Sequence, residues 1–288
     1  MRILYVVLFS LLPLLSFANL MWKAERGGEV IYLFADIPFF SPGMTVHIDA
    51  HVNEALDDSE VVVFPADPQA QAESATSTLL GQVGVYDADN ALSKTLPATL
   101  YRQFQELCAE LNIPSANFDR LKPWLAAKSL YPLALARKGV RMADRLDRHI
   151  YRTAFNSEMS MSFLSKPQDQ LEIFVNMEES TQVEYFRAML FRIRQLPDQI
   201  GSLESAWRFS DAQAVERLIL PLHQPFPEVY EAMVSELNNK WSDQLTLLAG
   251  RHGNVFAVIP IDHLVGEGNI RSRLSFAGFS VSPFPVRD

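Results

Sequence analysis

Apolar and polar positions follow two regimes along this chain. Near both ends, short β-rich runs sit between turn residues, whereas across the centre apolar residues recur at helical spacing. Glu29 to Ala35 predicts a strand. Val46 to Leu56 predicts a helix. Glu60 to Phe64 is apolar after Glu60, which suits a strand buried on both faces, and Pro65 and Pro68 end it. Gln69 to Ser77, rich in Ala, Gln and Ser, predicts a loop or a weak helix.

From Pro97 to Arg194 the pattern is mostly helical. Leu96 and Pro97 open one helix, which Asn112 and Pro114 close. Lys122-Pro123-Trp124 predicts a turn. Between Gln168 and Arg194, the spacing of Leu171, Phe174, Val175, Tyr185, Phe186, Met189 and Leu190 predicts a long amphipathic helix or a helical pair. Helices follow over Asp211 to Leu220 and Pro227 to Ala249. A strand (Asn254 to Ile259), a helix (Asn269 to Ala277) and a short strand (Phe279 to Val281) close the chain. The pattern therefore predicts an α/β fold. Its central mixed sheet is built from N- and C-terminal segments, with a largely helical insert over about residues 97–249.

The first residues change the picture of where the protein works. Arg2 supplies a positive charge, Ile3 to Leu15 is apolar, and Ser16-Phe17-Ala18 offers small residues for cleavage before Asn19. This predicts a signal peptide over residues 1–18, then a single domain over 19–288 that is periplasmic or secreted. The apolar run is short for a bilayer span, so the membrane is met only through the transient signal peptide; an uncleaved anchor is the alternative.

A net charge of −9 argues against a phosphate backbone as partner, and no basic stripe with interleaved aromatics offsets it. A single cysteine, Cys108, excludes an intramolecular disulfide and sits on the apolar side of a helical pattern, as a small core residue does.

Candidate chemistry concentrates near the C-terminus. Val258-Ile259-Pro260-Ile261-Asp262-His263 reads as a buried strand running into a turn that carries a histidine. His263 is either a remnant ligand or base, oriented by Asp262 or Asp36, or an imidazole kept for packing and a hydrogen bond. His47-Ile48-Asp49-Ala50-His51 is a second candidate. On a helix His47 and His51 share a face at the i, i+4 spacing of zinc pairs, with Asp36 or Glu54 to close the site; the bland alternative is a solvated helix start. Arg141, Arg145, Arg148 and Arg152 fall on one helical face, for an anionic partner or for local salt bridges. Phe226, Phe276, Phe279 and Phe284 are candidate cleft residues. Gly266-Glu267-Gly268-Asn269 is a weak anion cradle, with Glu267 inside it.

Several stretches, in order, resemble the TraB/GumN family, which includes the TIKI metal-dependent peptidases. The resemblance runs from about Leu20 to Val281. Met21-Trp22-Lys23 is similar to the family's opening Trp-Lys, and Leu33-Phe34-Ala35-Asp36-Ile37-Pro38 to its strand ending in Gly-Thr-Ile-His. Val63-Phe64-Pro65-Ala66-Asp67 resembles a strand ending in Glu-x-Asp. Leu164-Ser165-Lys166, with Gln168 and Leu171 downstream, resembles a Leu-Glu-Thr segment. Leu237-Asn238-Asn239-Lys240-Trp241 resembles Arg-Asn-x-x-Trp, and Pro260-Ile261-Asp262-His263-Leu264 the closing Gly-x-x-His-Leu.

The departures carry the functional reading. The family's chemistry is thought to rest on two histidine motifs and on acidic residues that hold a divalent metal. Here Pro38 stands for histidine, Pro65 and Ser165 for glutamate, and Leu237 for arginine; only His263 survives. Proline and leucine side chains have neither donor nor lone pair. The resemblance thus implies a decayed metal-hydrolase site and a binding or scaffold role with a peptide or protein partner. The residual cleft would be lined by Asp36, Pro38, Pro65, Asp67, Ser165 and His263, and no cofactor is expected. The alternative is an active metal-dependent hydrolase, a peptidase holding Mn, Co or Zn through relocated ligands drawn from Asp36, His47, His51, Asp67 and His263.

Overall fold

In the computed structural model, residues 19–37, 40–41, 47–67, 69, 80–140 and 146–285 are described. The signal-peptide reading, Pro38, Arg141 and Arg145 lie outside them.

Six strands form one sheet: β1 (Met21–Arg26), β2 (Glu29–Asp36), β3 (Val61–Phe64), β4 (Ser160–Phe163), β5 (Asn254–Pro260) and β6 (Ser280–Phe284), in the order β4-β3-β5-β2-β1-β6. Four of them, β4, β3, β5 and β2, run parallel; β1 and β6 add an antiparallel margin. The sheet is mixed and draws on both ends of the chain, as the pattern predicts. Three parallel strands read as unbroken apolar runs because helices cover both faces, and Val61, Val62, Val63, Phe256, Ala257 and Val258 are buried.

Two strands went unpredicted. β1 is joined to β2 through Gly27 and Gly28, both with positive φ (+56° and +94°), and Arg26 pairs with Glu29. Two consecutive left-handed residues are what a tight hairpin of this twist requires, and glycine supplies them without a Cβ clash. β4 is a short, largely exposed edge strand that owes its conformation to β3.

The helices are α1 (Ala50–Asp57), α2 (Leu92–Thr95), α3 (Ala98–Glu110), α4 (Pro123–Arg137), α5 (Leu146–Asn156), α6 (Pro167–Val175), α7 (Glu179–Arg208), α8 (Ala212–His223), α9 (Pro227–Tyr230), α10 (Glu236–His252) and α11 (Ile270–Phe276). A π-helical turn over Glu231–Ser235 makes α9 and α10 one continuous rod. Lys122-Pro123-Trp124 opens a helix rather than a turn. Pro123 occupies its first position, where a missing N–H costs nothing. The segment 168–194 is the helical pair α6 and α7.

Two apolar clusters result. One surrounds the sheet; the other fills the insert, around Leu100, Phe104, Trp124, Leu130 and Phe186. Cys108 belongs to the second, and burial pushes its thiol up to about 11, so it is a core residue. Tyr131 and Phe191 pack against both clusters. No described helix is long and apolar enough to cross a membrane.

Candidate functional site

The carboxyl ends of the four parallel strands place the site. Asp36 ends β2 opposite Pro260 of β5, and the β3–β4 ladder continues past both strands: Leu164 N–H donates to Phe64 O and Ser165 N–H to Pro65 O, each at 2.9 Å. A parallel sheet leaves side chains beyond these ends facing a common crevice.

Trp241, on α10, joins two of the predicted residues. Its Nε1–H donates to Ser165 Oγ at 3.0 Å, and its ring lies 4.4 Å from the His263 ring, tilted by 40°. His263 sits in a 3₁₀ turn, Ile261–His263, directly after β5. Its Nδ1 is 2.8 Å from Asn238 Oδ1, while Asn238 Nδ2 donates to Gly268 O at 3.1 Å. A carbonyl only accepts, so the Gly268 bond fixes the amide orientation. Asn238 must then accept from His263, and the proton rides on Nδ1. Asn238 and Trp241 are i and i+3 on one face of α10, which is how both reach the same imidazole. Burial pushes His263 down to about 4, with His223 adding to the fall and Asp262 opposing it, so the ring is neutral at neutral pH.

Asp262, one residue earlier, points into a second polar group. Its Oδ1 lies 2.7 Å from His223 Nε2 and 3.2 Å from Arg192 Nη2, while Nη2 also lies 3.2 Å from His223 Nδ1. The carboxylate only accepts, so Nε2–H donates to Asp262, while Arg192 Nη2 sits against the ring, 2.8 Å from Nε2 and 3.2 Å from Nδ1. Burial alone would raise the Asp262 carboxyl; the adjacent Arg192 and His223 overcome it and hold the carboxyl well below the usual range. Tyr230 meets the His223 ring edge-on at 5.0 Å.

Two hollows flank the rod made by α9, the π turn and α10. The outer cleft, about 720 Å³, opens over Ser165 and Trp241. Among the described residues its walls carry six carboxylates, Asp169, Glu172, Glu178, Glu228, Glu231 and Glu236, against one cation, Lys240. The inner cavity, about 280 Å³, is floored by Arg192, His223, Asp262 and His263 and walled by apolar residues such as Phe226, Val229 and Met233. Glu228, Glu231 and Ala232 face outward while Val229, Met233 and Val234 face inward, so the rod is the partition between the two.

The other candidates separate. Asp36 is buried at the end of β2, and Asp67 is turned to the surface, where Oδ1 accepts from Gln69 N–H at 2.8 Å. Neither lines the outer cleft or the inner cavity. His47 precedes α1 and His51 lies within it, so the i, i+4 helical face does not form. The Asp49 carboxylate between them accepts Asn19 N–H at 2.9 Å and pairs with His47 at 3.3 Å. Among the described residues no group of three His, Cys, Asp or Glu is placed to hold a metal ion. Arg148 and Arg152 are exposed on α5. The four phenylalanines do not share a cleft: Phe226 lines the inner cavity, Phe276 is 91 % exposed, Phe279 is buried, and Phe284 packs on Tyr32 at 5.3 Å. The anion cradle is filled by its own chain, because Asn269 caps α11 by accepting Ser272 N–H at 3.0 Å.

A divalent metal does not fit the residues present at the strand ends. Ser165 Oγ already accepts from Trp241, and the side chains of Pro65 and Leu237 offer no donor atom. That leaves the His263 imidazole and the Asp36 carboxylate at the end of β2, and among the described residues no third His, Cys, Asp or Glu is placed to join them, too few ligands for a tetrahedral or octahedral ion.

Comparison with known proteins adds one finding. Residues 20–283 match the model of the TraB/PrgY/gumN family. No curated protein and no solved structure matches the chain.

Proposed function

We propose that this chain, which belongs to the TraB/PrgY/gumN family, acts by binding a peptide segment of a partner protein at a decayed metal-hydrolase site. The observation that carries this reading is the Ser165–Trp241–His263–Asn238 contact chain. It occupies the strand ends with aromatic packing and closed hydrogen bonds, where hydrolysis would need open ligands and a poised base. The cleft above it is acidic and, at about 720 Å³, has room for a few residues of a segment carrying Lys or Arg.

The test has two arms on the mature protein. Metal analysis after incubation with Mn, Co or Zn should find far less than one ion per chain. A stoichiometric ion lost on His263→Ala would overturn the reading in favour of an active hydrolase. A lysine-rich peptide should bind, and more weakly as salt is raised. Glu228→Gln combined with Glu231→Gln should weaken it about tenfold, each exposed charge contributing up to ~1 kcal/mol. Salt-independent or unchanged binding would remove the acidic cleft from the proposal.

The proposed site of action is the periplasm or the cell exterior. Asn19 supports it. Its backbone nitrogen lies 2.9 Å from Asp49 Oδ2, and its side chain accepts Asp49 N–H at 2.9 Å. Cleavage before Asn19 would turn that N–H into an ammonium group already seated on a carboxylate. The exported protein should have the intact mass of residues 19–288, and a mass that includes residues 1–18 would exclude this route.

A further inference from the structure

We propose that the inner cavity is a binding site for a small zwitterion with an apolar side chain, an aliphatic α-amino acid. The inference goes beyond the peptide cleft, since it concerns the hollow on the opposite side of the α9–α10 rod and holds whether or not the cleft takes a peptide.

The size sets the first limit. At about 280 Å³ the cavity is at the lower end of the range for small-molecule pockets, so it admits one compact molecule and no chain. Its walls then divide the ligand into two parts. The floor holds a cation and an anion side by side, Arg192 and Asp262, at 3.2 Å. The rest of the lining is mainly apolar, with Leu222, Phe226, Val229 and Met233, joined by the rings of Tyr131 and Tyr185.

Charge decides the class. Arg192 and Asp262 neutralise each other, and the His263 and His223 rings add no charge in their neutral forms. A ligand with a single charge would bring an uncompensated ion into a desolvated hollow, which is costly. A zwitterion adds no net charge. It lays its ammonium against Asp262 and its carboxylate against Arg192, which suits the fork of a guanidinium. The ion pair is placed to receive it. The bonds to His223 and Arg192 converge on one Asp262 oxygen, Oδ1, and those to His223 and Asp262 start from one guanidinium nitrogen, Nη2, while the Tyr131 hydroxyl at the cavity wall also bonds the guanidinium. Asp262 keeps 29 % of its side-chain surface open, against 14 % for Arg192 and 11 % for His223, so the carboxylate is the most accessible member of the floor.

The test is calorimetric titration of the mature chain at neutral pH with L-leucine as the probe. Three analogues separate the charges: 4-methylpentanoate lacks the ammonium, 3-methylbutylamine lacks the carboxylate, and 4-methylpentanamide lacks both charges. L-Leucine should bind with one-to-one stoichiometry. Each analogue should bind at least about tenfold more weakly, because it leaves one member of the ion pair, or for the amide both, desolvated and unmatched. Absence of leucine binding, or an analogue that binds as well, overturns the proposal. Val229→Phe fills the cavity while leaving the charged floor untouched; with an unchanged circular dichroism spectrum it should abolish leucine binding. Leucine binding retained in that variant would place the ligand elsewhere and sink the idea. The lysine-rich peptide should still bind Val229→Phe, which keeps a failure here distinct from a failure of the cleft.

Discussion

Replacing Trp241 with alanine is expected to destabilise the protein by about 3–5 kcal/mol, the range for emptying a large buried aromatic site. The indole is 2 % exposed, so nearly all of its surface leaves water on folding. Its removal also takes the hydrogen bond from Ser165 Oγ and the ring that supports His263. The surrounding groups are poorly able to collapse into the gap. Ser165 is held by its backbone bond to Pro65 O, and His263 by its bond to Asn238. Trp241→Phe should separate the two contributions. It keeps an aromatic surface and loses the N–H, and should cost about 1–2 kcal/mol from the hydrogen bond and the smaller volume. Urea unfolding followed by far-ultraviolet circular dichroism measures both. A Trp241→Ala variant within about 1 kcal/mol of wild type, below the range for a buried aromatic, would show that the ring does not hold the strand ends together.

The contrast between Trp241 and His223 explains what the sequence could and could not show. Asn238 and Trp241 lie in a segment that resembles a family motif, and their i, i+3 helical spacing is the signal that could have marked them as site residues, though the sequence pattern alone assigns them no role. His263 was legible because it follows an apolar strand. Arg192, His223 and Asp262 come together over separations of 31, 39 and 70 residues. No local period links them. Arg192 lies in an amphipathic helix among other arginines, and His223 at the end of α8 reads as a cation complementing a helix dipole. The ion pair is a product of how α7, α8 and the turn after β5 pack, which periodicity does not encode.

The same distinction holds for the sheet. β2, β3 and β5 announce themselves because strands buried on both faces must be apolar throughout. β1 carries Lys23, Glu25 and Arg26, which break the apolar run that marks its neighbours, although the Gly27-Gly28 pair after it is a hairpin signal of its own. β4, with Ser160-Met161-Ser162-Phe163, has too little pattern to be read locally; its pairing with β3 defines it. Asp36 and Asp67 join Ser165 and His263 in the expected cleft because their segments resemble the family's motifs, and those segments end parallel strands in the fold. Their backbones end at the same edge of the sheet, while Asp67 spends its carboxylate on a turn at Gln69, a local bond that the motif does not show.

Lowering the pH should destabilise the protein in two stages, and the first belongs to His263. An unfolded-chain histidine titrates near 6.5, while burial holds His263 near about 4 in the folded protein. Between those values the unfolded chain takes up a proton that the folded one refuses. Stability should therefore be level with respect to this group above its unfolded pKa. It should fall as pH drops toward the folded value, by about 3 kcal/mol in all. Asp262 has the opposite kind of shift, a carboxyl depressed by Arg192 and His223. Its contribution is fully present above the unfolded carboxylate pKa and is lost as pH falls further, through the folded value, so the second stage lies in stronger acid. His263→Gln keeps a donor for Asn238 without an ionisable ring, and should remove the first stage while sparing the second. Asp262→Asn should do the reverse, at a cost near neutral pH because Arg192 loses its counter-charge. Unfolding free energies from urea titrations across the acid range decide it. If His263→Gln and wild type lose stability in parallel between the two histidine values, the imidazole is not kept neutral by its surroundings, and the packed, closed reading of the strand-end site fails with it.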